Sequence, residues 1–215
     1  MFVADRPSTQ MNGGSGDLSA IVLAGGQCRR MGGINKALAE VAGLTIVERI
    51  TRTLSSLFSQ VILISNTPET YRFVGLPIFT DIQPGNGSLG GLYTGLRRCS
   101  GERAFLAACD MPFLNEDVIK LMKDRAAGHD VIVPRIRGML EPLHAIYSKK
   151  CLPHIEDLLN KDDLSIANIY SRVDVLEIDE TDIVRLDPEL RFIMNVNTPE
   201  DLKEARRLAE SAPRT

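Results

Sequence analysis

The segment that follows the first apolar run of the chain combines glycines and cations in a pattern suited to a phosphate-bearing ligand. It reads LAGGQCRRMGGINK. Gly25 and Gly26 have no Cβ, so their backbone amides can approach phosphate oxygens or the edge of a base. Arg29, Arg30 and Lys36 add positive charge, which suits a triphosphate because charge develops on pyrophosphate when it departs.

Two common phosphate-binding motifs do not match this segment. Its glycines lack the G-x-G-x-x-G spacing of dinucleotide-binding folds, and no G-K-[ST] sequence follows them as it does in a P-loop. The segment alone leaves two interpretations open. One is a loop that binds a triphosphate, and the other is a tight turn with solvated basic side chains.

Two aspartates stand at the ends of later apolar runs. Asp110 follows the run 104–108, and Asp81 closes the run before it. Mg²⁺ prefers one or two carboxylates together with phosphate oxygens and water, so Asp110 has the chemistry of a ligand for a phosphate-bound metal. The alternative for each aspartate is that it caps the turn or helix that follows.

The elements that must position these residues follow from the hydrophobic pattern, which predicts alternating strands and helices. The predicted strands are 18–24, 61–64, 77–82, 104–108, 131–133, 143–147, 173–178 and 192–197. Predicted helices run through 46–57, 89–98, from Asn115 to Gly128, and from Thr198 onward. This order predicts a single three-layer, Rossmann-like α/β domain with a mostly parallel central sheet, in which a turn at Gly138 introduces an antiparallel pair. Ligands bind outside the carboxyl ends of the strands in such sheets.

Composition limits the functional class. The net charge of −3 comes without a long basic run, which disfavours nucleic acid and anionic membranes as partners. The four cysteines lack CxxC spacing, His129, His144 and His154 lack metal-ligand spacing, and no apolar segment approaches about 20 residues. We expect a cytoplasmic protein with a disordered extension over 1–17, a single folded domain over 18–210 and a tail over 211–215, and either Met1 or Met11 as the true start.

Several motifs in order resemble the molybdenum cofactor guanylyltransferase family, within the wider nucleotidyltransferase superfamily. LAGGQCRRMGGINK resembles the family signature, and GSLGG from Gly87 resembles its second glycine-rich loop. CDMPFL from Cys109 resembles the metal-binding segment, EPLHAIY from Glu141 a later strand, and NVNTPEDL from Asn195 the closing motif. The similarity covers Ser19 to about Arg207.

The resemblance implies Mg²⁺-dependent transfer of GMP from GTP to molybdenum-molybdopterin, with release of pyrophosphate. It implies that Lys36, Arg30 and Asp110 are the catalytic residues and that Asp110 is the metal ligand. Asp81 is then expected to contact the nucleotide. Asn195 and Asn197 are expected near the pterin, or alternatively to hydrogen-bond the turn before Thr198. The full set predicted to bind nucleotide or acceptor is Leu23, Ala24, Gly25, Gly26, Arg29, Lys36, Asp81, Gly87, Leu89, Asp110, Asn195 and Asn197.

The chain departs from the family pattern at three positions. Asn35 replaces the usual Asp before the lysine, and Ser88 and Gly90 replace Pro and Ala. Alternatives therefore stay open: a guanylyl- or cytidylyltransferase for another phosphorylated cofactor precursor, or a non-catalytic nucleotide-binding regulator. Gly25 favours GTP, because related cytidylyltransferases usually show LAAG where this chain has LAGG. GTP and molybdopterin are the expected substrates, and transient partners in cofactor delivery and a homo-oligomeric state are left open.

Overall fold

The computed structural model describes residues 18–25 and 35–211. The predicted extension 1–17 and the site residues Gly26, Arg29 and Arg30 lie outside the described residues. No helix in the described part is long and apolar enough to cross a membrane.

The described residues form ten strands and six helices. The strands are β1 (Leu18–Leu23), β2 (Glu40–Val41), β3 (Leu44–Thr45), β4 (Val61–Ile64), β5 (Ile78–Phe79), β6 (Arg103–Ala108), β7 (Val131–Ile136), β8 (Met139–Leu140), β9 (His144–Ser148) and β10 (Val175–Asp179). The helices are α1 (Ile46–Leu57), α2 (Gly87–Arg98), α3 (Glu116–Asp124), α4 (Leu152–Asn160), α5 (Glu180–Val184) and α6 (Pro199–Ser211). Short 3₁₀ segments occupy Lys36–Leu38, Pro68–Val74, Lys149–Cys151, Ile166–Arg172 and Arg191–Ile193.

The central sheet has eight strands in the order β10-β7-β9-β6-β1-β4-β5, and β8 pairs with β7 at one side. The pairs β5–β4, β4–β1, β1–β6 and β7–β10 are parallel, whereas β9 is antiparallel to both of its neighbours. The predicted mostly parallel sheet is therefore confirmed, and the hairpin at Gly138 supplies an antiparallel pair. The carboxyl ends of β4, β1 and β6 meet at one edge.

Alternating side chains of the strands supply two cores, one on each face of the sheet. Val22 and Phe105 face a core that includes α1, α3 and α6, while Ile21 and Leu106 face a core with α2 and α4. All four side chains are fully buried. This arrangement is the predicted three-layer architecture.

Side-chain caps fix the helices whose starts the sequence predicts most clearly. Thr45 and Glu48 form a reciprocal capping box at α1. At α6, the backbone amide of Asp201 donates to the Thr198 hydroxyl, and Oδ2 of Asp201 accepts from the amides of Asn197 and Thr198. Asn115 caps α3 as predicted, but that helix ends at Asp124 rather than at Gly128.

Glycines let α2 approach β1 unusually closely. A Cβ on Gly91 would lie 2.8 Å from a methyl group of Leu23, and one on Gly95 would lie 2.6 Å from Ile21. Gly90 is equally constrained, because a Cβ there would come within 2.9 Å of the Cβ of Asn86. The family's usual Ala at position 90 would therefore not fit this backbone. The close approach of α2 to β1 depends on Gly91 and Gly95, which place no side chain between the helix and the strand.

Three predicted boundaries need correction. The segment 192–197 is not a strand: it contains a 3₁₀ turn, Phe192 and Val196 fill the core, and the Val196 amide donates to the Asp110 carbonyl beyond the end of β6. Only Ile78 and Phe79 of the predicted strand 77–82 pair with β4. The GSLGG motif is not a loop, because α2 begins at Gly87. The hairpin β2–β3, α4 and α5 have no counterpart among the predicted elements.

His144 is an unusual core residue. Its ring lies edge-on to Phe105 and Phe192, with centroid distances of 4.8 Å and 4.7 Å. Among the described residues, neither ring nitrogen has a hydrogen-bond partner. Burial lowers the pKa of His144 from the usual 6.5 to about 3, so the folded protein holds the neutral ring.

We expect the fold to lose stability as the pH falls below 6.5. The unfolded chain takes up a proton there, whereas folded His144 does so only near a pKa of about 3. Between pH 7 and about pH 5 this group should lower the free energy of unfolding by about 2 kcal/mol. Urea unfolding of the parent and of His144→Phe at both pH values measures this loss, which the variant should lack. His154→Gln serves as the control and should keep it, and an equal loss in His144→Phe would assign the effect elsewhere.

Candidate active site

A cleft of about 780 Å³ lies at the carboxyl ends of β1, β4 and β6. Its lining comes from five chain segments that are separate in sequence but meet at this edge. The lining residues are Leu23, Ala24, Gly25, Asn35, Lys36, Ala37, Ile64, Ser65, Asn66, Thr67, Thr70, Tyr71, Asp81, Gly85, Gly87, Ser88, Gly91, Cys109 and Asp110. The cleft therefore forms where an open α/β sheet is expected to bind its ligand.

Asp110 is held firmly but leaves one carboxylate oxygen unused. Its backbone carbonyl accepts from the Val196 amide at 2.8 Å, and the preceding Cys109 amide donates to the Leu23 carbonyl at 3.1 Å. Oδ1 of Asp110 is buried and has no hydrogen-bond partner among the described residues. Burial raises the pKa of this carboxyl, and a hydrogen bond from its own backbone amide and the Lys36 charge oppose that rise. A cation at this oxygen would offset the cost of burying it.

The donor set fits a magnesium ion that also binds phosphate. Within residues 18–25 and 35–211, no three His, Cys, Asp or Glu side chains lie together as a metal cage. Mg²⁺ does not need one, because it binds through one or two carboxylates and takes its other ligands from phosphates and water. Asp110 meets that requirement, because the residue lines the cleft and one of its carboxylate oxygens has no hydrogen-bond partner among the described residues.

Lys36 reaches the same cleft from the first turn after the glycine-rich segment. Asn35 caps the 3₁₀ turn that Lys36 begins, and its Oδ1 accepts from the Ala37 amide at 3.1 Å. The Lys36 ammonium donates to Oδ1 of Asn197 at 2.7 Å. Asp201 fixes Asn197 in turn by accepting from its backbone amide at 2.9 Å. A cation and a carboxylate thus line one cavity without forming an ion pair.

Asp81 lies in the cleft with a partner that the predicted site did not include. Nδ2 of Asn66 donates to Oδ2 of Asp81 at 2.8 Å, and the Asp81 amide donates to Oδ1 of Asn66 at 3.0 Å. Oδ1 of Asp81 is buried and has no partner among the described residues. Burial raises the pKa of Asp81, against the effect of the Asn66 hydrogen bond. Asn66 lies just after the apolar run 61–64, separated from it by Ser65. The search for polar residues at the carboxyl ends of strands, which found Asp81 and Asp110, could therefore also have identified Asn66.

The first turn of α2 presents backbone amides to the cleft. Gly87 has φ of +56°, a left-handed conformation that favours glycine, and Ser88 lines the cleft beside it. The N-cap residue Asn86 makes no side-chain hydrogen bond to this turn, so the first amides are available to a ligand. The Leu89 side chain is fully buried in the core, and only its backbone can take part.

Gly25 has room for a side chain within the protein. A Cβ built on it meets no atom of the described residues within 4 Å, and its φ lies outside the left-handed region. Since neither backbone strain nor packing in the described part requires glycine here, its role is explained better by close approach of a ligand.

The predicted site residues divide into three groups by position. Leu23, Ala24, Gly25, Lys36, Asp81, Gly87 and Asp110 line the cleft, and Asn197 contacts Lys36. The side chains of Leu89 and Asn195 do not line it, and Nδ2 of Asn195 donates to the Ile193 carbonyl. Gly26, Arg29 and Arg30 lie outside the described residues.

A second cavity, of about 330 Å³, lies between α1 and the loop after β6. Arg49, Arg52 and Arg191 line it, but none of the predicted site residues do. The larger cleft is therefore the candidate active site.

The match to a family model decides the class of the protein. Residues 20–174 match the MobA-like NTP transferase domain, a range that contains Lys36, Asp81 and Asp110. This chain belongs to the MobA-like nucleotidyltransferase family. The fold and enzyme class predicted from the sequence are confirmed.

Similar proteins in this nucleotidyltransferase family match over nearly their whole length. The molybdenum cofactor guanylyltransferase of Desulfosudis oleivorans is 38% identical over 189 residues, which cover 87% of this chain and 94% of that protein. A relative from Methanosarcina mazei is 40% identical, and the match covers 86% of this chain and 88% of that protein. The crystal structure of molybdopterin-guanine dinucleotide biosynthesis protein A from Archaeoglobus fulgidus superposes with a TM-score of 0.78 at 25% identity, covering 90% of this chain and all of the other.

Proposed function

We propose that this protein transfers GMP from GTP to molybdenum-molybdopterin and releases pyrophosphate, with Mg²⁺ as cofactor. The observation that carries the proposal is the unpartnered Asp110 oxygen in a cleft that also holds Lys36 and the amides of Gly25 and Gly87. The similar protein from Desulfosudis oleivorans is a molybdenum cofactor guanylyltransferase, which supports GTP and molybdenum-molybdopterin as the substrates.

The proposed reaction needs no covalent enzyme intermediate. A phosphate oxygen of the acceptor attacks the α-phosphorus of GTP, a new P–O bond forms, and the bond from the α-phosphorus to the bridging oxygen of pyrophosphate breaks. When bound, Mg²⁺ neutralises phosphate charge and orients the α-phosphorus. Asp110 holds that ion, Lys36 faces the charge that develops on the leaving pyrophosphate, and the Gly25 and Gly87 amides orient the nucleotide.

The Asn66–Asp81 pair is suited to select the base. Guanine presents two neighbouring donors on one edge, its ring N–H and its 2-amino group. Oδ1 of Asp81 has no partner in the described part, whereas Asn66 fixes Oδ2 in place. A carboxylate held in this way favours guanine, because it can accept from both donors.

We expect Asp81→Asn to reduce the preference for GTP over ITP by about 10-fold or more, since ITP lacks the 2-amino group and the variant lacks the charged acceptor. The measurement is the ratio of kcat/KM for the two nucleotides in the parent and the variant. Asp157→Asn, on the exposed surface of α4, provides the control and should leave the ratio unchanged. An unaltered ratio in Asp81→Asn would show that Asp81 does not read the base.

The reaction itself is tested by pyrophosphate release from each of the four ribonucleoside triphosphates, with and without molybdenum-molybdopterin. We expect release with GTP only when the acceptor is present. Preferential release with CTP would instead identify a cytidylyltransferase, and nucleotide binding without release would identify a non-catalytic regulator.

A further inference from the structure

The orientation of Lys36 depends on the residue before it. Asn35 uses its side-chain oxygen to accept from the Ala37 amide at 3.1 Å, and this hydrogen bond closes the short turn that Lys36 begins. The far end of Lys36 is held separately, by Asn197 at 2.7 Å. Two backbone hydrogen bonds also hold this turn, from the Leu38 amide to the Asn35 carbonyl and from the Ala39 amide to the Lys36 carbonyl. Rotation of the Asn35 amide would remove the side-chain cap next to Lys36.

A tyrosine from another part of the chain holds the Asn35 amide. Nδ2 of Asn35 donates to the Tyr71 hydroxyl at 2.9 Å, and that hydroxyl lies 3.3 Å from Oδ1 of Asn35. Tyr71 belongs to the segment Pro68–Val74 and is only 3% exposed, so its ring is fixed by the core while its hydroxyl reaches the cleft. The Tyr71 hydroxyl therefore stabilises the orientation of Asn35, which caps the turn that carries Lys36.

We propose that Tyr71 is a positioning residue that acts through Asn35 to aim Lys36 at the nucleotide phosphates; this inference rests on the proposed function. The chemistry of position 35 explains why a hydroxyl is needed. An aspartate, which is usual in the family, would only accept hydrogen bonds, but the Asn35 amide also has donors that need an acceptor when half-buried. In the described part of the chain, the Ala37 amide and the Tyr71 hydroxyl are the groups that hydrogen-bond the Asn35 side chain, so loss of the hydroxyl removes the acceptor for Nδ2.

The test is a double-mutant cycle of Tyr71→Phe and Lys36→Ala. Tyr71→Phe keeps the ring in the core and removes only the hydroxyl, and we expect kcat/KM to fall about 5- to 10-fold with little change in thermal unfolding. In the Lys36→Ala background the same change should have less than about a twofold effect, because the group that Tyr71 orients is absent. Equal effects in both backgrounds would overturn the proposal.

Two further variants separate positioning from a general loss of stability. Asn35→Asp in the Tyr71→Phe background should recover most of kcat/KM, since a carboxylate caps the turn without a donor that needs a partner. Tyr93→Phe removes a tyrosine hydroxyl that lies 3.4 Å from Glu156, away from the cleft, and should leave kcat/KM unchanged. Absence of rescue by Asn35→Asp would also count against the proposal.

The cycle uses whichever nucleotide the parent protein turns over. An error in the assignment of GTP would therefore appear in the four-nucleotide comparison and leave the cycle interpretable. If the parent releases pyrophosphate from none of them, the proposed function fails, and the cycle is measured on equilibrium binding of magnesium GTP, where additive losses would still overturn the role of Tyr71.

Discussion

Replacing Asp110 by Asn should lower turnover by about two to three orders of magnitude and raise the Mg²⁺ concentration needed for nucleotide binding. The substitution keeps the size of the side chain and removes its charge, so it separates a metal ligand from a helix or turn cap, which tolerates Asn. The measurements are kcat and a magnesium titration of GTP binding.

The unfolding temperature of the ligand-free Asp110→Asn variant should match or exceed that of the parent. Burial raises the pKa of the Asp110 carboxyl, so its charged form destabilises the fold at neutral pH, and the neutral amide removes that cost. Stabilisation by magnesium GTP should be much smaller in the variant.

Asp130 provides a matched control for this substitution. It is also a partly buried aspartate, but it precedes β7 and lies near Lys150, at the opposite edge of the sheet from the cleft. Asp130→Asn should leave kcat and the magnesium dependence within about twofold of the parent. If Asp110→Asn gives the same result, the metal site lies elsewhere and Asp81 is the next candidate.

The sequence predicts best those elements whose signals are local. The apolar spacing from Ile46 to Leu57 predicts α1, and in the structure a capping box of Thr45 and Glu48 sets its first residue. The predicted cap at Thr198 marks the start of α6. Leu18–Leu23 is apolar on both faces because two layers of helices cover the sheet. Since parallel strands place their carboxyl ends together, Asp81 and Asp110 could be assigned to one cleft without knowledge of any contact.

Tertiary contacts decide the features that the sequence did not predict. The apolar run 192–197 has the composition of a strand, but its Val196 amide bonds to the carbonyl of Asp110 rather than to a neighbouring strand. Leu89 belongs to a motif of the binding site, yet the helical phase of α2 points its side chain into the core. Two further contacts, of Asn66 with Asp81 and of Tyr71 with Asn35, join residues from separate segments of the chain. No local pattern predicts that these residues pair with each other.

Removal of the Lys36 charge is the second substitution that we expect to reduce kcat strongly. We expect Lys36→Ala to lower kcat by roughly one to three orders of magnitude, because the lysine faces the charge that develops as pyrophosphate departs. Equilibrium binding of magnesium GTP should weaken less than kcat falls, because the leaving group carries more charge in the transition state than in bound GTP. A pyrophosphate-release assay measures kcat, and calorimetry measures the binding of magnesium GTP.

The hydrogen-bond partner of Lys36 helps to separate an effect on kcat from an effect on nucleotide binding. The ammonium bonds to a neutral acceptor, Oδ1 of Asn197, at 2.7 Å, and within the described residues no carboxylate forms an ion pair with it. The charge is therefore available to the phosphates once it leaves Asn197. Lys120→Ala, which breaks only exposed pairs with Glu116 and Asp117, should leave both quantities unchanged. Equal losses in binding and in kcat/KM, with kcat unchanged, would place Lys36 in ground-state binding alone, and unchanged kinetics would remove it from the site.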